Sequence, residues 1–202
     1  EDAALVVEDG GERLRLPRSA LKGVHQTDNA GLAVVAARRL GDLAPSAAQI
    51  GEGLRRAVWS ARLQRLVRGP LVERLGGAHH LWLDGGHNPA AGEMLALSLP
   101  ELAAGRPVHL IVGMLQTKDA ASFLRPLVPL AASLQAVPVP EEAAGRDPAE
   151  ILMLARALGA SASAAASVEA AIAELAARLT VPSLILICGS LYLAGHVLRA
   201  NG

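Results

Sequence analysis

The sequence predicts an α/β protein with a mostly parallel sheet and helices flanking both faces. Three features carry that expectation. Beyond residue 80, short apolar runs of strand length alternate with helical stretches, the pattern of a parallel sheet built from strand–helix–strand units. Runs such as HLWL, HLIV and LILIC are near-continuously aliphatic, as strands covered on both faces are. Aromatic residues make up 2% of the chain and hydrophobic residues 51%, much of it alanine, so small aliphatic side chains form the core.

The elements follow in order. Asp9-Gly10-Gly11 divides two β-rich runs in ALVVEDGGERLRL, a hairpin signal. TDNAGLAVVAARRLG predicts a helix capped by Thr27 or Asp28, with Leu32, Val35, Ala36 and Leu40 on one face and Gly41 at its end. A shorter helix follows Pro45 in SAAQIGEGLRRAVW, RLQRLV reads as a strand, and GPL marks a break. The alternation then begins: HLWLD, PVHLIVGML, SLQAVPV and PSLILICG are strands. PAAGEMLALSL, KDAASFLRPLV, DPAEILMLARALG, SVEAAIAELAARL and SLYLAGHVLRA are helices. Pro148 suits a helical first turn. The Ala/Ser stretch GASASAAAS reads as a surface connection. A domain boundary is expected near residues 58–62, where helical, hairpin-bearing sequence gives way to the alternating pattern.

Composition excludes several classes. With 19 basic and 19 acidic residues in 202, the chain has no long-range field of either sign, and neither nucleic acid nor an anionic membrane is an expected partner. No apolar run reaches the roughly 18 residues that span a bilayer. The single Cys188, inside an apolar run, precludes an internal disulfide framework and fits a reducing cytoplasm. The chain opens on Glu1 without a signal pattern and in the middle of a strand-like run, so a piece of a longer protein is expected. Neither G-x-G-x-x-G after a strand nor a G-x-x-x-x-G-K-[ST] phosphate loop is present. His79, His80, Asp84 and His87 do not make an expected metal site, because His79 and Asp84 fall at opposite ends of one strand.

Ligands of open α/β sheets bind beyond the carboxyl ends of the strands, and polar residues gather at four such ends: LDGGHN, VGMLQTKD, VPVPEE and CGSLY. Asp84 stands where a carboxylate can accept from a ribose diol. Gly85 and Gly86 allow close backbone approach, and Pro89 opens a helix whose free N–H groups favour an anion. Lys118 is either a solvated lysine or an anchor for a substrate carboxylate. Ser190 is at least a helix cap, and Tyr192 is expected to pack. In the first segment His25, Gln26 and Asn29 surround a helix start. Arg62, at the expected boundary, is either solvent-facing or a phosphate clamp.

Taken in order, HQTDNA, ARLQ, LDGGHNPAA, GMLQTKD and CGSLYLAG resemble the later part of folylpolyglutamate synthase/dihydrofolate synthase, of the Mur ligase superfamily. The resemblance runs from about residue 12 to the C-terminus, and D-G-x-H-N-P is its most specific element. It implies that residues 61–202 form the Rossmann-like C-terminal α/β domain of that family. Residues 1–60 would then be the tail of a central ATPase domain. The implied reaction phosphorylates the carboxylate of dihydropteroate, or of a folate's glutamate tail, with ATP and Mg2+. The amine of L-glutamate then attacks the acyl phosphate. By the same resemblance Asn29 contacts adenine, Arg62 reaches the ATP phosphates and Asp84 holds the ribose. His87 lies near the nucleotide or the reacting centre, and Lys118 and Ser190 hold the incoming amino acid, with Lys118 also a catalytic candidate alongside His87. Asp84→Ala is accordingly expected to impair ATP use far more than folding. The implied protein is a cytoplasmic monomer. Its phosphate loop, magnesium ligands and most pterin contacts lie outside this chain, so the chain alone is expected to be inactive. Ser60-Ala61 replaces the Pro-Gly frequent before the arginine, Gly86 stands where alanine is usual, and Thr117 where an acid is common. Two other readings are a different Mur-type amide ligase and a non-catalytic nucleotide-binding α/β module.

Overall fold

The computed structural model describes residues 4–201. They divide into two compact units at Ser60/Ala61. The second unit is a six-stranded sheet of β3 (Gln64–Leu66), β4 (His80–Leu83), β5 (Val108–Val112), β6 (Ser133–Ala136), β7 (Ala162–Ala164) and β8 (Leu184–Cys188), in the order β3-β4-β8-β5-β6-β7. Only the edge strand β3 is antiparallel to its neighbour; every other pairing is parallel. Side-chain alternation along these strands explains the aliphatic runs. In β8, Leu184, Leu186 and Cys188 enter one core with Leu110, Phe123 and Ile151. Ile185 and Ile187 enter the other with Ile111, Ile172 and Leu193.

Helices α4 (Pro89–Ala103), α5 (Ala120–Leu124) and α6 (Pro148–Ala157) cover the first face. Helices α3 (Pro70–Leu75), α7 (Val168–Arg178) and α8 (Leu191–Asn201) cover the second. The chain enters β8 last, between β4 and β5, and leaves it toward the face opposite to α4 and α5. Loops after adjacent strands therefore diverge, which opens a crevice at the carboxyl end of β8.

The first unit pairs β1 (Leu5–Asp9) with β2 (Glu12–Leu16) through the two-residue turn Gly10-Gly11, both at positive φ. Glycine removes the steric cost of that turn geometry. Helices α1 (His25–Arg38) and α2 (Ala47–Arg56) pack on the hairpin through Leu5, Val7, Leu16, Ala30, Val34 and Ile50. Ser46 and Gln49 form a reciprocal capping box at the start of α2. Arg38 and Arg39 pair with Asp9, and Arg38 also with Glu12, across the hairpin turn.

Four sequence expectations are corrected. Helix α1 starts at His25 with Val24 as an uncapped N-cap, so Thr27 and Asp28 fall inside its first turn. Its buried stripe is Gln26, Ala30 and Val34, whereas Leu32 is 70% exposed and Leu40 lies beyond the helix. An alanine-rich helix has little contrast between faces, and the buried stripe begins with a polar residue. Gly69-Pro70 opens helix α3 instead of breaking the chain: Gly69 takes φ 101°, and a Cβ there would meet the Asn201 carbonyl oxygen at 2.0 Å. The Ala/Ser stretch contains strand β7, paired parallel to β6, because edge pairing runs through the backbone and makes little demand on the side chains. Among the described residues no helix is long and apolar enough to cross a membrane.

At the amino end of the strands His109 is 6% exposed. Its Nδ1 is 2.8 Å from the Ser133 hydroxyl, which also accepts a bond from Arg178 Nη2 at 2.7 Å. Burial first, then Arg178 and His79, hold the His109 pKa below its ordinary value of 6.5. His80 is shifted the same way by burial, Arg65 and Arg106. The unfolded chain therefore takes up protons before the folded one does as pH falls through about 6.5, and folding stability declines with acidification until the lower folded-state values are passed. We predict that urea unfolding shows lower stability at about pH 5.5 than at about pH 7.5, and that His109→Gln reduces this slope. An unchanged slope in the variant would contradict the assignment.

Candidate functional site

Three loops converge on the crevice: those after β4, β5 and β8. They enclose a cavity of about 250 Å³ lined by His87, Thr117, Lys118, Ser190 and Tyr192, among others. His87 Nδ1 is 2.8 Å from the Gly85 carbonyl. Only a protonated Nδ1 can bond a carbonyl, so a neutral ring presents Nε2 as an acceptor. Lys118 is half-buried and has no ion-pair partner among the described residues. Ser190 is 2% exposed; its Oγ accepts from the Tyr192 and Leu193 amides at 3.1 and 3.4 Å, which leaves its O–H to donate. The backbone reaches Ser190 through Gly189 at φ 105°, where a Cβ would lie 2.7 Å from the Gly113 carbonyl oxygen. A cation, a hydroxyl and an imidazole in one small cavity suit a carboxylate-bearing amine.

Asp84 and Arg62 belong to an adjoining arrangement. Asp84 is 5% exposed, and its carboxylate accepts from the Leu63 amide at 2.8 Å and the Gly86 amide at 2.7 Å. The Gly85 amide donates to the Ala61 carbonyl at 2.8 Å, and the Ala61 amide to Gln64 Oε1 at 2.9 Å. Arg62 is thus held at the tip of a turn stapled to the D-G-G corner. Its neighbours Ala61 and Leu63 both take left-handed φ, 55° and 41°, a cost of about 1 kcal/mol or more each for a side chain with Cβ. The glycines serve space, not positive φ. A Cβ on Gly85 would meet Leu191 at 2.3 Å, and one on Gly86 would meet Asp84 Oδ1 at 2.8 Å.

Of the residues expected from the sequence, His87, Lys118 and Ser190 line one cavity, while Asp84 and Arg62 meet at one turn. Asn29 belongs to the first unit. It is exposed on α1, and its Nδ2 donates to Oε1 of the buried Gln26 at 3.3 Å, so Gln26 orients its amide. Tyr192 does not pack as expected: it is 59% exposed and borders both this cavity and a second, of about 440 Å³, lined by Glu141, Glu142 and Arg199. Its place at the first turn of a helix leaving the crevice was the available signal. Asp119 caps α5 by accepting from Ser122 at 3.0 Å, and that amide holds its carboxyl below the usual carboxylate range. Burial, and then the Asp84 charge, push the Cys188 thiol up, so it is no nucleophile.

Residues 62–191 match the Mur ligase, glutamate ligase domain, and the chain belongs to that family. It is also 33% identical, over 199 residues, to a probable bifunctional folylpolyglutamate synthase/dihydropteroate synthase of Haloferax volcanii, covering 97% of this chain and 22% of that protein. E. coli FolC in complex with DHPP and ADP superposes with a TM-score of 0.77 at 26% identity, covering 95% of this chain and 42% of FolC. A bifunctional folylpolyglutamate synthase/dihydrofolate synthase with Mn, AMPPNP and L-glutamate bound gives a TM-score of 0.75 at 25% identity, covering 96% and 43%. The chain therefore spans about a fifth of the length of its curated relative and under half that of these solved structures.

The Asp84 bonds give that residue a share in stability that its position in the sequence did not reveal. Asp84→Ala leaves two buried N–H donors without this acceptor, at about 1–3 kcal/mol each. We predict a thermal midpoint lower by several degrees, of order 2–4 °C per kcal/mol, and faster hydrogen exchange at Leu63 and Gly86. Wild-type exchange at both amides would refute the clamp.

Proposed function

We propose that this chain supplies one wall of the nucleotide and amino-acid site of an ATP-dependent ligase. That ligase adds L-glutamate to the carboxylate of dihydropteroate, of a folylpolyglutamate, or of both. The observation that carries the reading is the cavity shared by His87, Lys118 and Ser190, in a chain of the glutamate ligase domain family. In this reading Lys118 and the Ser190 hydroxyl bind carboxylate oxygens of the incoming glutamate. Its amine lies toward His87 Nε2, which accepts a proton as the amine attacks. ATP supplies the activation: a carboxylate becomes an electrophile once phosphorylated.

Arg62 pairs with the phosphates. Its guanidinium has no hydrogen-bond or ion-pair partner among the described residues, and the Asp84 clamp and the two left-handed residues fix its turn. Such pre-organisation places charge where it develops in phosphoryl transfer. Asp84 holds the ribose from the same corner. Among the described residues no three metal-capable side chains converge. No step here runs through a magnesium ion. The share of the relatives left uncovered supports reading residues 1–60 as the tail of an ATPase domain whose remainder carries the phosphate loop and the ion.

The reading predicts a separation of kinetic effects in the full-length enzyme. Lys118→Ala should raise KM for L-glutamate about 10–100-fold, the loss of one charged hydrogen bond, with KM for ATP little changed. Arg62→Ala should act on ATP and on kcat instead. Equal effects of both variants on both substrates would contradict the division. Product analysis with dihydropteroate and tetrahydrofolate in competition identifies the acceptor.

A further inference from the structure

Thr117 and Lys118 sit on a loop with little secondary structure of its own, so something must fix the ammonium. The 142–146 segment does. Leu115 and Gly145 form an isolated antiparallel bridge. The Gln116 amide donates to the Ala144 carbonyl at 2.9 Å, and the Arg146 amide to the Met114 carbonyl at 2.8 Å. The guanidinium of Arg146, whose side chain is 17% exposed, then closes the arrangement. Its Nη2 donates to the carbonyls of Gln116 at 2.8 Å and Lys118 at 2.9 Å, the two residues flanking Thr117. Its Nη1 pairs with Glu150 of α6 at 2.8 Å. Arg146 is not among the residues lining the cavity; its bonds reach the cavity through the backbone of the 115–118 loop.

We infer that Arg146 is a positioning residue for the amino-acid cavity: it holds the backbone on both sides of Thr117 and thereby sets where Lys118 presents its charge. This rests on the proposed binding of L-glutamate by Lys118. The chemistry requires arginine. One planar group makes two carbonyl bonds and an ion pair at once, whereas lysine offers a point charge at the end of a flexible stem. Loss of the clamp frees the loop without removing any group that touches the amino acid. Glutamate affinity should therefore fall while the nucleotide corner at Asp84 and Arg62, on a different loop, is untouched.

The test is kinetic and has an internal rescue. In the full-length enzyme, Arg146→Gly is expected to raise KM for L-glutamate about tenfold, the equivalent of one net charged hydrogen bond, with KM for ATP unchanged within about twofold. Guanidinium ion at millimolar concentration should restore much of the loss, and methylammonium should not. Arg146→Lys, the milder change, should raise KM for L-glutamate by a smaller factor and serves if the glycine variant does not fold. In the 202-residue chain itself, Arg146→Gly should speed hydrogen exchange at the Gln116 and Lys118 amides. Unchanged exchange there would overturn the clamp. Faster exchange with an unaltered KM for L-glutamate would instead overturn the reading that the loop binds glutamate. A parallel rise in KM for ATP, or rescue by methylammonium as well, would overturn the positioning role.

Discussion

The structure depends on where β8 lies. This strand is fully buried, pairs with β4 on one side and β5 on the other, and sends its following helix to the face opposite theirs. Both faces must be apolar for that placement, hence Leu-Ile-Leu-Ile-Cys. The exit must pass beside the Gly113 carbonyl, hence Gly189. The loops leaving β4, β5 and β8 have no common direction to follow, and the gap between them is the cavity. The site is thus a consequence of packing order in the sheet. Its chemistry comes from the side chains that happen to stand at three strand ends.

Two backbone clamps turn that gap into a defined arrangement. The Asp84 carboxylate fixes a turn with two left-handed residues and so places Arg62. The Arg146 guanidinium fixes the loop that bears Lys118. In each case a charged group, largely withdrawn from solvent, bonds to main-chain atoms, where such bonds are shorter and stronger than neutral ones. The pair divides the labour: one clamp positions Arg62, proposed to meet the phosphates, and the other Lys118, proposed to meet the amino acid.

Much of the fold was legible in the sequence because parallel strands covered on both faces leave unbroken aliphatic runs. The strand-end position of Asp84, His87, Lys118 and Ser190 was legible for the same reason. What escaped had weak local signals. Helix α3 and strand β7 are short and depend on neighbours: Gly69 on Asn201, and Ala162–Ala164 on β6. The buried stripe of α1 starts at a glutamine. Tyr192 is exposed at a cavity rim although an isolated tyrosine ordinarily packs. Arg146 showed nothing, because the carbonyls it holds lie about thirty positions away in the chain and bonds to main-chain atoms leave no residue pattern.

The central proposal is that the cavity between the β4, β5 and β8 loops receives the amino acid of the proposed ligase reaction. The most direct measurement is a crystal structure of the full-length ligase with L-glutamate and a non-hydrolysable ATP analogue. The account predicts glutamate in contact with Lys118 and Ser190, its amine toward His87, and the phosphates at Arg62. Glutamate bound elsewhere, with this cavity left to solvent, would contradict it.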